Sequence, residues 1–136
     1  MTINQAFLSL WSEHPELTAL VPVASVYAGR VPVGTALPYA TLEQPSASGS
    51  GRSNQSQYVD VAVRISLYAA TYAAGQEAAN ALEDALSNRE IELGDGAKLL
   101  DILHETTSSA REEDPEEPAW RFIVQFSARR IRRRVW

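Results

Sequence analysis

The side chains able to do chemistry in this chain are few and poorly spaced for it. The two histidines are His14 and His104. Neither has a partner at the spacing that sets two imidazoles on one helix face around a metal. His14 falls at a helix end and His104 on a strand, so both read as polar surface or half-buried residues. There is no cysteine, which excludes disulfides and thiolate metal sites. The nucleophile elbow GxSxG is missing. Gly49-Ser50-Gly51 resembles part of a phosphate loop. It has no accompanying lysine, and a strand follows it where anion binding needs helix N-terminal amides. The carboxylate pairs Glu83-Asp84 and Glu112-Glu113 fall on a polar helix face and in a loop. Glycosidase-like chemistry needs carboxylates opposed across a cleft, and a solvated-charge reading is favoured here. The residues therefore point to no catalytic, cofactor or metal site.

The arginine cluster is the sharper signal. Arg129, Arg130, Arg132, Arg133 and Arg134 crowd the C-terminus, while Glu112, Glu113, Asp114, Glu116 and Glu117 form an acidic run just before the last strand. In an extended chain Arg130, Arg132 and Arg134 point one way and Arg129 and Arg133 the other. Both faces become charged, so the chain is expected to have left the core by then. Three readings stand: a solvated tail, a pairing with an acidic surface on a neighbouring copy or another protein, or contact with nucleic-acid phosphates. Arginine suits either of the last two, because its planar fork bonds carboxylate and phosphate bidentately. Exposed ion pairs are worth only about 0–1 kcal/mol each, so such a contact would set register more than supply affinity.

These groups must be positioned by a small domain. A chain of 136 residues is one domain by length. No apolar run reaches the ~20 residues of a membrane span, and the start MTINQAFLSLWSEHP lacks the features of a signal peptide. The sequon Asn54-Gln55-Ser56 is then coincidental. Net charge is −5, which argues against a general nucleic-acid coat.

Ile3, Ala6, Phe7, Leu10 and Trp11 recur at helical spacing. Thr2 and Gln5 have capping-box spacing, and Pro15 ends the run. Glu16 to Leu20 reads as one further turn, Ser25 to Ala28 and Pro38 to Gln44 as short strands. Ser46 to Gln57 is polar, rich in Ser and Gly and without periodicity, hence a flexible loop. In Val59 to Leu67 the odd positions are all aliphatic and alternate with Asp60, Ala62, Arg64 and Ser66. That pattern is a strand with one buried face. A helix follows over 72–87, with an apolar stripe of Ala74, Ala78, Ala81, Leu82, Ala85 and Leu86. Ile91 to Leu93 and Lys98 to Thr106 read as strands, the second with mixed faces. The stretch 111–118 reads as a loop. The last strand alternates Trp120, Phe122, Val124, Phe126 and Ala128 against polar positions. The expected fold is α+β: a mostly antiparallel sheet packed by two helices, in the order α-β-β-β-α-β-β-β. It forms a single domain over 1–128, with flexible loops at 46–57 and 111–118 and a basic extension at 129–136.

Taken in order, the N-terminal helix leading into HPELTALVP, the segment VYAGRVPVGTALPYATLEQ, the strand YVDVAVRISLYA with its alanine-rich helix, and IELGDG followed by WRFIVQFSAR resemble a known family. It is the small tail-completion proteins of long-tailed phages, tail terminators and tail-to-head joining proteins. The resemblance covers about Phe7 to Arg130. It implies a structural protein of the virion tail, assembled in the bacterial host cytoplasm, not an enzyme. It further implies a six-fold homo-oligomeric ring that caps the tail tube, meets the tail tube protein and the head connector protein, and lets DNA pass through its lumen. Tyr27, Arg30, Tyr39 and Arg52 are candidate contact residues, with the acidic run and the C-terminal arginines, since Tyr and Arg are enriched at interfaces. The rival reading is a nucleic-acid-binding module using those arginines. An enzyme reading has no motif behind it.

Overall fold

The computed structural model describes residues 2–29, 31–32, 35–43, 45–52, 56–94, 97–112 and 119–133. The side chains of 48–52, 56–57, 94, 112 and 132–133 lie outside that description. The chain opens with α1 (Ile3–Ser12) and α2 (Pro15–Leu20), then a 3-10 turn at Val23–Ser25. Four strands follow, β1 (Val26–Ala28), β2 (Tyr39–Leu42), β3 (Ser46–Arg52) and β4 (Ser56–Ala69). Helix α3 (Tyr72–Leu86) leads to β5 (Ile91–Gly94), β6 (Ala97–Glu112) and β7 (Ala119–Arg133). The strands make one seven-stranded sheet in the order β1-β2-β4-β7-β6-β5, with β3 also paired to β4. Every pairing is antiparallel except β1 with β2.

The α+β class expected from the sequence is observed. Helix α1 carries the expected capping box, Thr2 accepting from the Gln5 amide and Gln5 accepting from the Thr2 amide. Its stripe of Ala6, Phe7, Leu10 and Trp11 is buried. Pro15 does more than stop α1: it opens α2, where a missing amide proton costs nothing. The Trp11 indole donates to the Val21 carbonyl over 2.9 Å, tying α1 to the end of α2. Each such fully buried large side chain contributes roughly 1.5–3 kcal/mol relative to exposure.

In β4 and β7 the apolar phase faces the helices. Val61, Val63, Ile65 and Leu67 meet Phe122, Val124, Phe126 and Ala128 in one core with α1 and α3. The buried stripe of α3 is Gly75, Ala78, Ala79, Leu82, Ala85 and Leu86, turned slightly from the expected one. Ala74 is exposed and Ala81 half-buried. With so many small residues the sequence pattern is degenerate in phase, and contact with the sheet selects Gly75 and Ala79.

Three expectations are corrected. The stretch 46–57, expected as a flexible loop, contains β3 and the start of β4. Strand β2 stops level with Ile65, so the edge of β4 from Ala62 towards Gln57 offers unpaired backbone groups, and β3 pairs there. A ladder needs amides and carbonyls, not an alternating side-chain pattern. The chain also does not leave the sheet at Arg129. β7 continues to Arg133, with Arg129–Arg133 paired to Ser56–Asp60 of β4, and Arg129–Arg132 also flanked by Ala97–Leu100 of β6. Finally, β6 runs to Glu112 rather than Thr106, so the stretch expected as a loop from 111 begins as strand, and 113–118 lie outside the described residues.

The mixed faces of β6 have a cause. Register shifts occur between Leu100 and Leu103 and between His104 and Thr106, and Asp101 has φ 52°. The first bulge changes the parity of the strand, so Leu99 and Ile102 are both buried although three apart.

Gly75 lies against the ring of Phe122, which an added Cβ would strike. Gly75→Ala would gain up to about 1 kcal/mol of helix propensity, but overpacking a close contact costs typically ~1–3 kcal/mol. Thermal unfolding is expected at a lower temperature for Gly75→Ala than for the parent chain; an unchanged or raised midpoint would contradict this close helix–sheet approach.

Candidate assembly surface

Since the helices cover one face of the sheet, the second phase of every strand falls on the other, where no element packs among the described residues. The cross-strand register orders this open face into rows. Tyr39, Tyr68, Arg121 and Ala110 form the first, Thr41, Ser66, Ile123 and Ser108 the second. Arg64, Gln125 and Thr106 follow, extended by Glu43, whose amide bonds the Arg64 carbonyl. Beyond them come Ala62, Ser127 and Leu103, then Asp60, Arg129 and Leu100.

Two aromatic–arginine groups organise this face. Tyr39 and Tyr68 stack with centroids 4.7 Å apart, and the Arg121 guanidinium lies 5.8 Å from the Tyr68 ring. Arg121 also donates to Ser66, which is fully buried, and approaches Glu43 at 4.0 Å. Glu43 in turn lies 3.9 Å from Arg64. At the other end Arg129 grips Asp60 with both arms, Nε to Oδ1 at 2.8 Å and Nη2 to Oδ2 at 3.4 Å, while its guanidinium sits 4.4 Å over the Tyr58 ring. The hydrogen bond from Arg129 holds the Asp60 carboxyl below its ordinary value, against a smaller opposing effect of desolvation. The same bond raises Arg129.

Beside this pair Asp60, Asn88, Arg89, Glu90, Asp101 and Leu103 line a cavity of about 610 Å³. Leu103, 49% exposed, is set out by the β6 bulge. The mixed charge of the cavity suits polar contact with another surface. Among the described residues no group of three His, Asp or Glu is placed to hold a metal, and no helix is long and apolar enough to cross a membrane.

The histidines have local partners. The Leu10 carbonyl can only accept, so Nδ1 of His14 carries the proton (2.9 Å) and Nε2 receives the Arg89 guanidinium at 3.1 Å. His104 packs edge-on to Phe126, with Nδ1 3.4 Å from Glu83 and Nε2 2.6 Å from the Thr107 hydroxyl.

The candidate residues read from the sequence are scattered over this frame. Tyr39 and Arg129 belong to the open face, at opposite ends. Tyr27 lies on the edge strand β1, half-buried. Arg130 follows Arg129 on the opposite face and is exposed. Arg52 ends β3, Glu112 ends β6, and Arg132 and Arg133 end β7; these four are placed by their backbone only. Arg30, Glu113, Asp114, Glu116, Glu117 and Arg134 lie outside the described residues. Sequence reasoning passed over Tyr58, Asp60, Arg64, Tyr68 and Arg121. Their signal was present: they occupy the polar phase of two strands whose other phase is aliphatic and aromatic.

The sheet thus carries helices on one face and an ordered Tyr–Arg–carboxylate surface on the other. The fold superposes on a chain of the virion of a native gene transfer agent (GTA) particle, with TM-score 0.79 over 95% of this chain and 94% of that one, at 22% identity. A model of the family described as Tail completion protein gp17 matches residues 5–130, and the chain belongs to that family. It is therefore a structural, phage-like tail-assembly protein. A search of curated proteins finds no match.

Because its folded-state pKa is lowered, Asp60 stabilises the fold above its ordinary value of 3.8, and that contribution is lost as pH falls through the lowered value. The thermal midpoint of the parent chain is therefore expected to exceed that of Asp60→Asn by a small, constant margin above about pH 5, closing on acidification. A margin independent of pH down to pH 2 would contradict the Asp60–Arg129 linkage.

Proposed function

We propose that this chain is the subunit of a ring that completes a tail, as a tail terminator or head–tail joining protein. One ring face caps the last turn of tail tube protein, the other receives the head connector protein, and DNA passes through the lumen without sequence-specific contacts. The observation that supports this most is the open sheet face, joined to membership of the tail-completion family over nearly the whole chain. Arg121 is already held within the subunit by the Tyr68 ring and a hydrogen bond to Ser66, and Arg129 by the Tyr58 ring and hydrogen bonds to Asp60. Ordering such long side chains in advance lowers the entropy cost of association, and Tyr and Arg dominate the binding energy of interfaces.

Ring closure requires two different patches on each subunit, meeting head to tail. The helical layer and the open sheet face are unlike surfaces on opposite sides of one body, and the strand edges run between them. The basic end fits the same reading. Arg129 is occupied by Asp60, whereas Arg130 is exposed at the rim of the sheet and available to a carboxylate on a neighbouring subunit.

Light scattering over a concentration series, with negative-stain images of the same sample, tests the proposal. Closed six-fold rings are expected, either in solution or at the ends of tails incubated with the protein. A chain that stays monomeric and leaves tail ends bare would overturn it.

A further inference from the structure

Among the described residues two seven-residue stretches of strand edge lack a partner strand, and they are unlike. On one side β5 pairs with β6 only as far as Leu99. From Glu105 to Arg111 the outer edge of β6 has no partner strand among the described residues, and all seven residues are exposed. Free edges are normally blunted by proline, lysine, inward charges or a covering loop. The sequence here is Glu-Thr-Thr-Ser-Ser-Ala-Arg, with no proline or lysine and charges only at its two ends. On the other side β3, also seven residues long, pairs among the described residues with β4 alone.

We propose that neighbouring copies join through these edges, β6 of one adding to β3 of the next. This rests on the ring reading above and names the contact that would close the ring. The strand directions allow it. β3 is antiparallel to β4, β4 to β7, and β7 to β6, so β6 runs opposite to β3. Copies related by rotation about an axis inclined to the strands by the ~35–45° of a closed sheet keep that sense, and the new pair is antiparallel, the pattern with the straighter and stronger ladder. Because the two edges differ, the contact is heterologous and repeats around a closed ring.

The levels of the two edges add a second constraint. β3 lies beside Gln57–Ala62, which pair with Ser127–Arg132, whereas the free length of β6 lies beside Trp120–Gln125. The edges therefore sit at opposite ends of the long strands. Joining them displaces each copy along the strand direction relative to the next, and closure of a sheet into a barrel requires such a stagger and the tilt that goes with it.

The absence of cysteine makes the test direct. Flush pairing of Ser46–Arg52 against Glu105–Arg111 puts Ala47 opposite Ala110. Opposed Cα atoms in antiparallel strands are about 4.5–5.5 Å apart, within disulfide reach. The full chain would be prepared as Ala47→Cys with Ala110→Cys, and as Ala47→Cys with Ser108→Cys for a two-residue slip that keeps the faces. Circular dichroism would confirm folding, and single-cysteine chains would serve as controls. After mild oxidation of the assembled sample, a ladder of covalent multimers on non-reducing gels is expected for one double variant, and dimers at most for each control. Closed rings that stay uncross-linked in both double variants would overturn the edge contact while leaving the ring reading intact. No closed assembly of the parent chain, in solution or on tails, would overturn both.

Discussion

Fourteen consecutive residue pairs join β4 to β7, from Ser56–Arg133 to Ala69–Trp120, without a bulge. That unbroken ladder is the constraint on which the rest depends. A slip of one residue would turn the apolar set of one strand to the open side, either Val63 and Ile65 or Phe122 and Val124, and bury Arg64 or Arg121 in its place. Burying charged groups without partners is far costlier than any gain from altered pairing, so one register is enforced. With it fixed, the helices have a single apolar surface to cover, and the polar phase of both strands is delivered as a block to the other face.

The open face inherits its order from the same register. Asp60 faces Arg129 and Tyr68 faces Arg121 because they are cross-strand partners. Their hydrogen bonds and ring contacts follow from positions set by the core on the opposite side. Burial on one side and the polar rows on the other are thus two readings of one period-two pattern. The family to which the chain belongs is described by tail completion.

β6 is the exception to regularity, and it shapes the periphery. Its two bulges change which residues face the core and expose Leu103 beside the charged cavity. The strand outruns its neighbour β5 from Leu100 on, and its outer edge from Glu105 to Arg111 has no partner strand among the described residues. The same edge logic explains β3, a Ser- and Gly-rich stretch drawn into the sheet by the unfilled side of β4.

By itself the sequence determined the elements whose side-chain periodicity is strict. The α1 stripe with its capping box, the alternation of β4 and β7 and the presence of α3 are all legible, because apolar periods of 3.6 and 2 each fit one backbone. The C-terminal arginines were legible as a cluster but misplaced outside the core, since charge on both strand faces carries no information about backbone pairing. Only the tertiary structure decided the existence of β3, the extension of β7 to Arg133, the bulges of β6, the phase of α3 and the coupling of Asp60 to Arg129. Each depends on what lies on a neighbouring element, an unfilled edge, a close phenylalanine ring or a cross-strand partner some seventy residues away, and none of these is written in the local pattern.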